Sequence, residues 1–239
     1  MNIILFSPHE VELALAARDP RARHITEVLR RQPGDNFDAG LINGPRGKAT
    51  LAAITDQGLS LSFKWGALPP PLAPIHLIVG LPRPQTARDI LREGAALGAA
   101  AMDFVLTEKA DPGYGRSSLW ASREWEDLLL LGASQAFCTR IPVVQHGRTL
   151  GETITTLPPD SARVALDNYE SSGALSRFEL NNRPAVALAV GAERGWSPAE
   201  RVLLRAHGFT FAHLGERVLR TETACIAAVT LLRAKLGLL

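Results

Sequence analysis

The sequence predicts an α/β protein in which a small β domain precedes a larger domain of alternating strands and helices. Three observations support this prediction. Short strand-like runs separated by tight turns fill the N-terminal part, a proline-rich segment follows, and apolar strand-like runs then alternate with helical patterns to the C-terminus. With 239 residues, the chain is long enough for one large or two small domains.

The N-terminal part begins with a helical pattern and continues with strands. Apolar residues at 25, 28 and 29 predict a short helix over 24–30. Three strand-like runs follow, with turns at 43–47 and 56–58 between them: 36–42, 48–55 and 59–63. Short strands joined by tight turns are typical of a small antiparallel barrel, which is the fold that we expect here.

A proline-rich segment at 66–74 is the predicted domain boundary. Four prolines lie within the six residues 69–74, where they remove backbone donors and favour a stiff, extended connection. The predicted domains are therefore 1–68 and 75–239.

The second domain shows the alternation expected of a mostly parallel sheet that is covered by helices on both faces. Its predicted strands are 75–79, 102–106, 163–167, 185–190 and 209–214. Its predicted helices are 86–97, 122–137 and 221–236, with a further helix starting after Ser197. At that start, Ser197 is the expected cap, Pro198 the first helical residue and Glu200 the partner of a capping box.

Composition excludes several classes of protein. Hydrophobic residues make up 46% and charged residues 21%, as in ordinary globular proteins, and no run of eighteen apolar residues suggests a membrane span. The N-terminus does not resemble a secretory signal, and Cys138 and Cys225 lie in apolar contexts typical of reduced thiols, so we expect a cytoplasmic protein. The six histidines form no cluster with metal-ligand spacing, and no metal is expected.

The net charge is only +2, but basic residues are concentrated between Arg18 and Lys48. This concentration is compatible with an anion-binding face or with an ordinary solvated surface.

Two loops that follow apolar runs suggest a ligand crevice. The first, 191–196, reads Gly-Ala-Glu-Arg-Gly-Trp after a strand, and the second, 214–224, reads Leu-Gly-Glu-Arg-Val-Leu-Arg-Thr-Glu-Thr-Ala before a helix. Loops of this kind build ligand sites at the carboxyl edges of α/β sheets. The dinucleotide fingerprint, the phosphate-binding P-loop and the serine hydrolase elbow are all absent, which argues against those three chemistries.

These two loops, with Ser197 and Glu200, resemble the cofactor region of the ribosomal small subunit methyltransferase E family. Weaker signals occur in the same order as in that family: His24 with 28–30, Gly34-Asp35, 81–83, Leu97-Gly98, Glu108, Gln135 and Ile141-Pro142. The resemblance covers most of the chain, and the motif at 214–224 is its most specific part.

The resemblance implies an S-adenosyl-L-methionine-dependent enzyme that methylates uridine N3 in small-subunit ribosomal RNA. It implies a PUA-like β-barrel followed by a SPOUT α/β domain with a trefoil knot, and a cytoplasmic homodimer that acts on ribosomal RNA or the small ribosomal subunit. The expected cofactor-binding residues are Leu166, Gly191, Gly195, Leu214, Gly215, Val218 and Leu219.

Two residues are candidates for catalysis in that reading. Because the uracil N3 proton must leave before the nitrogen can attack, a cation that stabilises the resulting anion is useful, and Arg220 is our candidate. Glu222 is either the base or a residue that stabilises the start of the last helix. Candidates for RNA phosphate contacts are Arg21, Arg23, His24, Arg30 and Arg83.

The sequence departs from the family pattern at several positions. Ala192 and Arg194 replace a proline and a glycine of the first loop, and Cys138 stands where an arginine is usual. A positive φ at position 194 would strain an arginine. The departures leave a second hypothesis open, a catalytically silent or retargeted RNA-binding protein with the same fold. A third, a dinucleotide-dependent enzyme, requires a phosphate loop that the sequence lacks.

Overall fold

The structure is a computed structural model that describes residues 2–239 and divides the chain into two units. The first unit contains the residues up to Pro71 together with Ala133–Ile141, and the second contains Leu72–Gly132 and Pro142–Leu239.

A five-stranded sheet forms most of the first unit. Its elements are β1 (Ile4–Phe6), β2 (Leu15–Ala16), α1 (Pro20–Arg23) with a π-helical turn (His24–Val28), β3 (Asn36–Leu41), β4 (Arg46–Thr55) and β5 (Gly58–Trp65). The strand order is β1-β3-β4-β5-β2. One face of this sheet packs on a core that includes Phe6, Ile25, Phe37, Leu51 and Leu59.

The three strands predicted in this unit are confirmed, and the sheet corrects two details. The first strand, β1, runs parallel to β3, whereas the other neighbours are antiparallel. The predicted helix begins earlier, at Pro20, because the carboxylate of Asp19 accepts the Arg21 N–H at 2.8 Å and caps it. Both β1 and β2 have only two or three residues, too few to produce a period-two pattern.

A segment distant in sequence completes the first unit. The Asn43 N–H donates to the Thr139 carbonyl at 2.7 Å, and the Ile141 N–H donates to Asn43 Oδ1 at 3.0 Å. The Arg140 guanidinium donates to the carbonyls of Pro69 and Pro70 at 3.2 and 3.0 Å. The predicted domain bounds, 1–68 and 75–239, do not assign Ala133–Ile141 to the first unit. That these two ranges fold as independent domains remains a prediction.

The second unit is an α/β structure. Its strands are β6 (Ala73–Gly80), β7 (Ala99–Leu106), β8 (Val143–Thr149), β9 (Ala162–Leu166), β10 (Gly173–Ala174), β11 (Val186–Val190) and β12 (Thr210–His213). Its helices are α2 (Pro84–Ala96), α3 (Ser118–Ala121), α4 (Glu124–Gln135, which continues into the first unit), α5 (Leu150–Thr155), α6 (Pro198–Ala206) and α7 (Thr221–Lys235). Short 3-10 turns lie at Pro112–Arg116 and Leu175–Arg177.

All seven strands of this unit are parallel, in the order β10-β12-β9-β11-β6-β7-β8. Helices α5 and α6 supply Leu150, Ile154 and Leu204 to a core on one face of the sheet. Helix α7 packs against α2, β6 and β11. The five predicted strands and four predicted helices of the second domain are therefore present, within a few residues of their expected bounds.

The sequence analysis did not predict β8, β10, α3 and α5. Strand β8 lies at one edge of the sheet, and six of its seven residues are polar or exposed, so it lacks an apolar signal. Helix α5 has only six residues, although Thr149 and Glu152 form a capping box at its start.

Across residues 2–239, none of the helices is long and apolar enough to cross a membrane. In the same range, no three His, Cys, Asp or Glu side chains are grouped as metal ligands.

Candidate functional site

A cavity of about 220 Å³ lies in the second unit where three neighbouring strands end. Its walls come from 166–169 after β9, 190–196 after β11, and 213–224 after β12, with Arg201 of α6 behind them. These strands are adjacent and parallel, so their carboxyl ends meet at one edge of the sheet, which is where ligands bind in open α/β folds.

The loop after β11 turns tightly because two of its residues are glycines. A Cβ atom added to Gly191 would lie 3.0 Å from the Cα of Gly195, tighter than most real Cβ contacts, so the backbone of Gly195 would have to shift slightly. Gly195 itself has a φ of +63°, and its N–H donates to the Ala192 carbonyl at 2.8 Å. Arg194 does not have a positive φ, so the backbone strain that a positive φ would impose on an arginine does not arise at this position.

Polar contacts from other elements hold this loop in place. The Lys109 ammonium donates to the carbonyl of Trp196 at 2.7 Å, and the Arg83 N–H donates to Glu193 Oε1 at 2.9 Å. The fully buried indole of Trp196 donates to the Leu166 carbonyl at 3.1 Å and so joins the ends of β9 and β11.

The predicted helix cap after this loop is confirmed. Ser197 and Glu200 form a capping box at the start of α6, and the second carboxylate oxygen of Glu200 accepts the Glu108 N–H at 2.8 Å. The loop therefore lies between a rigid helix start and the segment that follows β7.

Six of the seven expected cofactor residues line the cavity, namely Leu166, Gly191, Gly195, Leu214, Val218 and Leu219. The seventh, Gly215, lies next to Leu214 outside the lining, and its N–H donates to His213 Nδ1 at 3.0 Å. The structure brings these residues together from three loops, while their role in binding a cofactor stays a prediction.

The two expected catalytic residues lie beside the cavity, outside its lining. Arg220 is exposed and is the last residue before α7, between Leu219 and Thr221, which both line the cavity. Glu222 is half-buried in the first turn of α7, where a carboxylate is stabilised by the helix dipole. This position is compatible with either of the two roles predicted for Glu222.

The candidates for RNA contact differ in how free their charges are. The Arg21 guanidinium is bound by the carboxylates of Glu10 and Asp19, at 2.5 and 2.7 Å, and donates to the Leu5 carbonyl, which favours a structural role over phosphate binding. Arg23 is exposed and weakly paired with Glu27 at 3.5 Å.

The remaining three RNA candidates lie in different places. His24 is half-buried at the start of the π-helical turn, and Arg30 is exposed with a φ of +52°. Arg83 belongs to the second unit, where it precedes α2 and contacts Glu193 beside the cavity. Their RNA contacts remain predictions.

The sequence did not identify several residues of the cavity: Asp167, Asn168, Tyr169, Arg201 and His213. A signal existed for Asp167, because it directly follows the apolar run of β9 at its carboxyl end. Arg201 had no such signal, since a basic residue one turn into a helix normally belongs to a solvated face.

Comparisons with known proteins define the class of this protein. The model of the RNA methyltransferase domain family matches residues 69–233, a span that contains the whole cavity. Residues 69–233 thus form a domain of the RNA methyltransferase class.

Relatives then identify the family. The chain is 35% identical to ribosomal RNA small subunit methyltransferase E of Treponema pallidum, over 98% of this chain and 91% of the relative, and 26% identical to methyltransferase E 1 of Borreliella burgdorferi over 99% of both. The chain belongs to the ribosomal RNA small subunit methyltransferase E family, as its motifs predicted. The corresponding enzyme of Neisseria gonorrhoeae, crystallised with S-adenosyl methionine, has the same fold, with a TM-score of 0.81 and 22% identity over 97% of each chain.

Proposed function

We propose that this protein transfers a methyl group from S-adenosyl-L-methionine to uridine N3 in small-subunit ribosomal RNA. Membership of the family, established by 35% identity over almost the whole chain, supports the reaction class and the RNA substrate. The cavity at the carboxyl edge of the sheet supports this location of the cofactor site, because six of the seven residues expected from the family motifs line it.

The residues of the cavity suit this cofactor. Gly191 leaves backbone at the cavity wall where a Cβ would crowd Gly195, and Leu166, Leu214 and Leu219 supply apolar surface for an adenosine. S-adenosyl-L-methionine supplies an electrophilic methyl group when it is bound. The protein's own tasks are then to hold the donor, to exclude water and to prepare the nucleophile.

Preparation of the nucleophile falls to the segment that leads into α7. We assign Arg220 to the stabilisation of the uracil anion, since its guanidinium is exposed next to the cavity. Glu222, two residues on, is within the same turn and is our candidate for the group that accepts the N3 proton, with stabilisation of the helix start as its alternative role. Alignment of donor and acceptor contributes as well, and is worth roughly 7–11 kcal/mol in well-oriented reactions.

We extend the proposal to the RNA-binding unit, the knot and the dimer. We infer that the five-stranded sheet of the first unit is a PUA-like barrel that grips RNA, and its exposed Arg23 and Arg30 are consistent with that role. A trefoil knot in the second unit fits the strand order, in which β12 lies between β9 and β10. By the same resemblance we propose a homodimer that acts in the cytoplasm on ribosomal RNA or the small subunit.

The decisive experiment combines two measurements. Mass spectrometry of ribosomal RNA from a deletion strain should reveal the loss of one N3-methyluridine, which returns when the gene is restored. Calorimetry with purified protein should show binding of S-adenosyl-L-methionine. If the protein binds no donor at millimolar concentration and the RNA is unchanged, it is a silent RNA-binding member of the family, whereas loss of a different methylated nucleotide corrects the target.

A further inference from the structure

One wall of the cavity is the short loop 167–170, which the family motifs do not include. It follows β9 directly and contributes Asp167, Asn168 and Tyr169 to the lining. The Tyr169 side chain is 86% exposed, so its position depends on contacts other than burial.

Asp167 holds this loop in place through hydrogen bonds. One carboxylate oxygen accepts the N–H groups of Tyr169 and Glu170 at 2.7 and 3.0 Å, and the other accepts Arg201 Nε at 2.7 Å. Only 2% of its side chain is exposed. Burial raises the pKa of Asp167, but the hydrogen bonds from Arg201 and the two backbone N–H groups outweigh it and lower the pKa. The carboxylate is thus anionic and occupied, which makes it unsuitable as a base.

Arg201 connects the loop to a different part of the cavity. It lies in the first half of α6, with a side chain only 10% exposed, and α6 follows the glycine loop at 191–196 directly. Its guanidinium also lies 5.7 Å from the centre of the Tyr169 ring and 3.7 Å from Glu170. One side chain therefore ties two walls of the cavity, the loop after β9 and the helix after β11.

The charges around Arg201 suit a cationic donor. An unpaired guanidinium at the back of the cavity would repel a sulfonium ion, because charge interactions are strong where water is excluded. Asp167 and Glu170 neutralise Arg201, and Arg205 in turn is paired with Glu170.

We propose that Arg201 and Asp167 are positioning residues that hold loop 167–170 as a preformed wall of the methyl-donor site, with Tyr169 at its mouth. The inference rests on the proposed function for the identity of the donor. A loop that is already ordered loses less conformational entropy when the donor binds, so the pair acts on donor affinity and leaves the chemical step unchanged.

The test compares Arg201→Met with Arg205→Met. Both variants remove a guanidinium from α6 near Glu170, but Arg205 does not contact Asp167 and does not line the cavity. For Arg201→Met we expect the Kd and KM for S-adenosyl-L-methionine to rise roughly tenfold while kcat changes less than about twofold. Arg205→Met should match the wild type, and Arg201→Lys, which keeps the charge, should recover part of the affinity.

Two further measurements keep the test decisive. Arg201→Met leaves a buried carboxylate without its cation. The Kd and KM for S-adenosyl-L-methionine and the kcat are therefore also measured for the double variant Arg201→Met with Asp167→Asn. Thermal unfolding establishes that each variant is folded. Hydrogen exchange at the amides of Tyr169 and Glu170, without any ligand, should accelerate in Arg201→Met and stay unchanged in Arg205→Met.

Unchanged donor affinity in a folded Arg201→Met protein overturns the proposal, and so does an equal loss in Arg205→Met. If the wild type binds no donor, the proposed function fails separately. In that case the exchange rates alone decide whether Arg201 and Asp167 hold the loop.

Discussion

Asp103 and Asp167 are buried carboxylates, one within the parallel sheet and one at its carboxyl edge, and each is paired with an arginine. Asp103 lies within β7, where it binds His76 of β6 and, at 2.6 Å, Arg148 of β8. Asp167 lies one residue beyond β9 and binds Arg201 of α6 and the backbone of its own loop. The same ion-pair chemistry thus fixes three strands in one region and a loop of the cavity in the other.

The difference shows how position in the fold separates structural roles from functional ones. Asp103 connects neighbouring strands, and we expect it to contribute to stability. At the carboxyl edge the chain leaves the sheet, and there the role that we propose for Asp167 is to shape a ligand site. The comparison implies that catalysis should depend on side chains at the edge, and stability on those in the strands.

The largest expected effect is at the edge. Replacement of Arg220 by Ala should reduce methyl transfer roughly 100- to 1,000-fold, because a cation that stabilises a developing anion contributes about that much. Since Arg220 is exposed, the unfolding free energy should change by less than about 0.5 kcal/mol. Single-turnover methylation and urea unfolding measure the two quantities. Undiminished turnover would remove Arg220 from the mechanism.

The next effect is within the sheet. The Asp103→Ala variant loses the hydrogen bonds from His76 and Arg148 to a charged carboxylate, each worth about 1.5–3 kcal/mol, and we expect an unfolding free energy lower by about 3 kcal/mol. Affinity for S-adenosyl-L-methionine should be unchanged in the folded protein. The exposed Asp160 provides the control substitution. A weakened donor affinity without a loss of stability would contradict the separation of the two roles.

Low pH should lower the unfolding free energy through Asp103, Asp167 and Glu10 alike. Burial raises the pKa of Asp103 and that of Asp167, but the hydrogen bonds to each carboxylate outweigh it and lower both pKa values, and Arg21 lowers the pKa of Glu10 to about 2. A lowered folded-state pKa stabilises the protein above the unfolded pKa, near 4, and this stabilisation is lost as the pH falls towards the folded value. Urea unfolding from pH 7 to pH 2 should show this decline.

Glu10→Gln sharpens the pH prediction. The variant should lose part of the decline below pH 4.5, by about 1 kcal/mol or less because Glu10 is partly exposed. A pH profile identical to that of the wild type would show that Glu10 does not contribute.

The smallest effect distinguishes paired from exposed arginines in the first unit. Arg23→Ala should lower the slope of log affinity for RNA against log salt by roughly 0.7–0.9, the value of one lost phosphate contact. Arg21→Ala should leave the slope unchanged and reduce stability, because its guanidinium is bound by Glu10 and Asp19. Filter binding at several salt concentrations measures the slopes. If the RNA affinity of the wild type did not change with salt, the basic residues between Arg18 and Lys48 would be excluded as RNA contacts.

Much of the fold was predictable because its signals are local. Strands β3 to β7, β9, β11 and β12 have apolar runs or period-two patterns, and the start of α6 is encoded within the four residues from Ser197 to Glu200. Four of the seven expected cofactor residues could be proposed from the sequence in the same way, since the motif at 214–224 is continuous.

The tertiary structure alone decided where distant residues meet. The pairing of Asp167 with Arg201 spans 34 positions, and the contact of residues 139–141 with Asn43 spans nearly a hundred. Such contacts leave no periodic trace, because each depends on the order and register of the strands. The sequence by itself determined most of the elements, the family and the loops around the cavity. Strand order and packing decided which charges are neutralised and which remain exposed to a ligand.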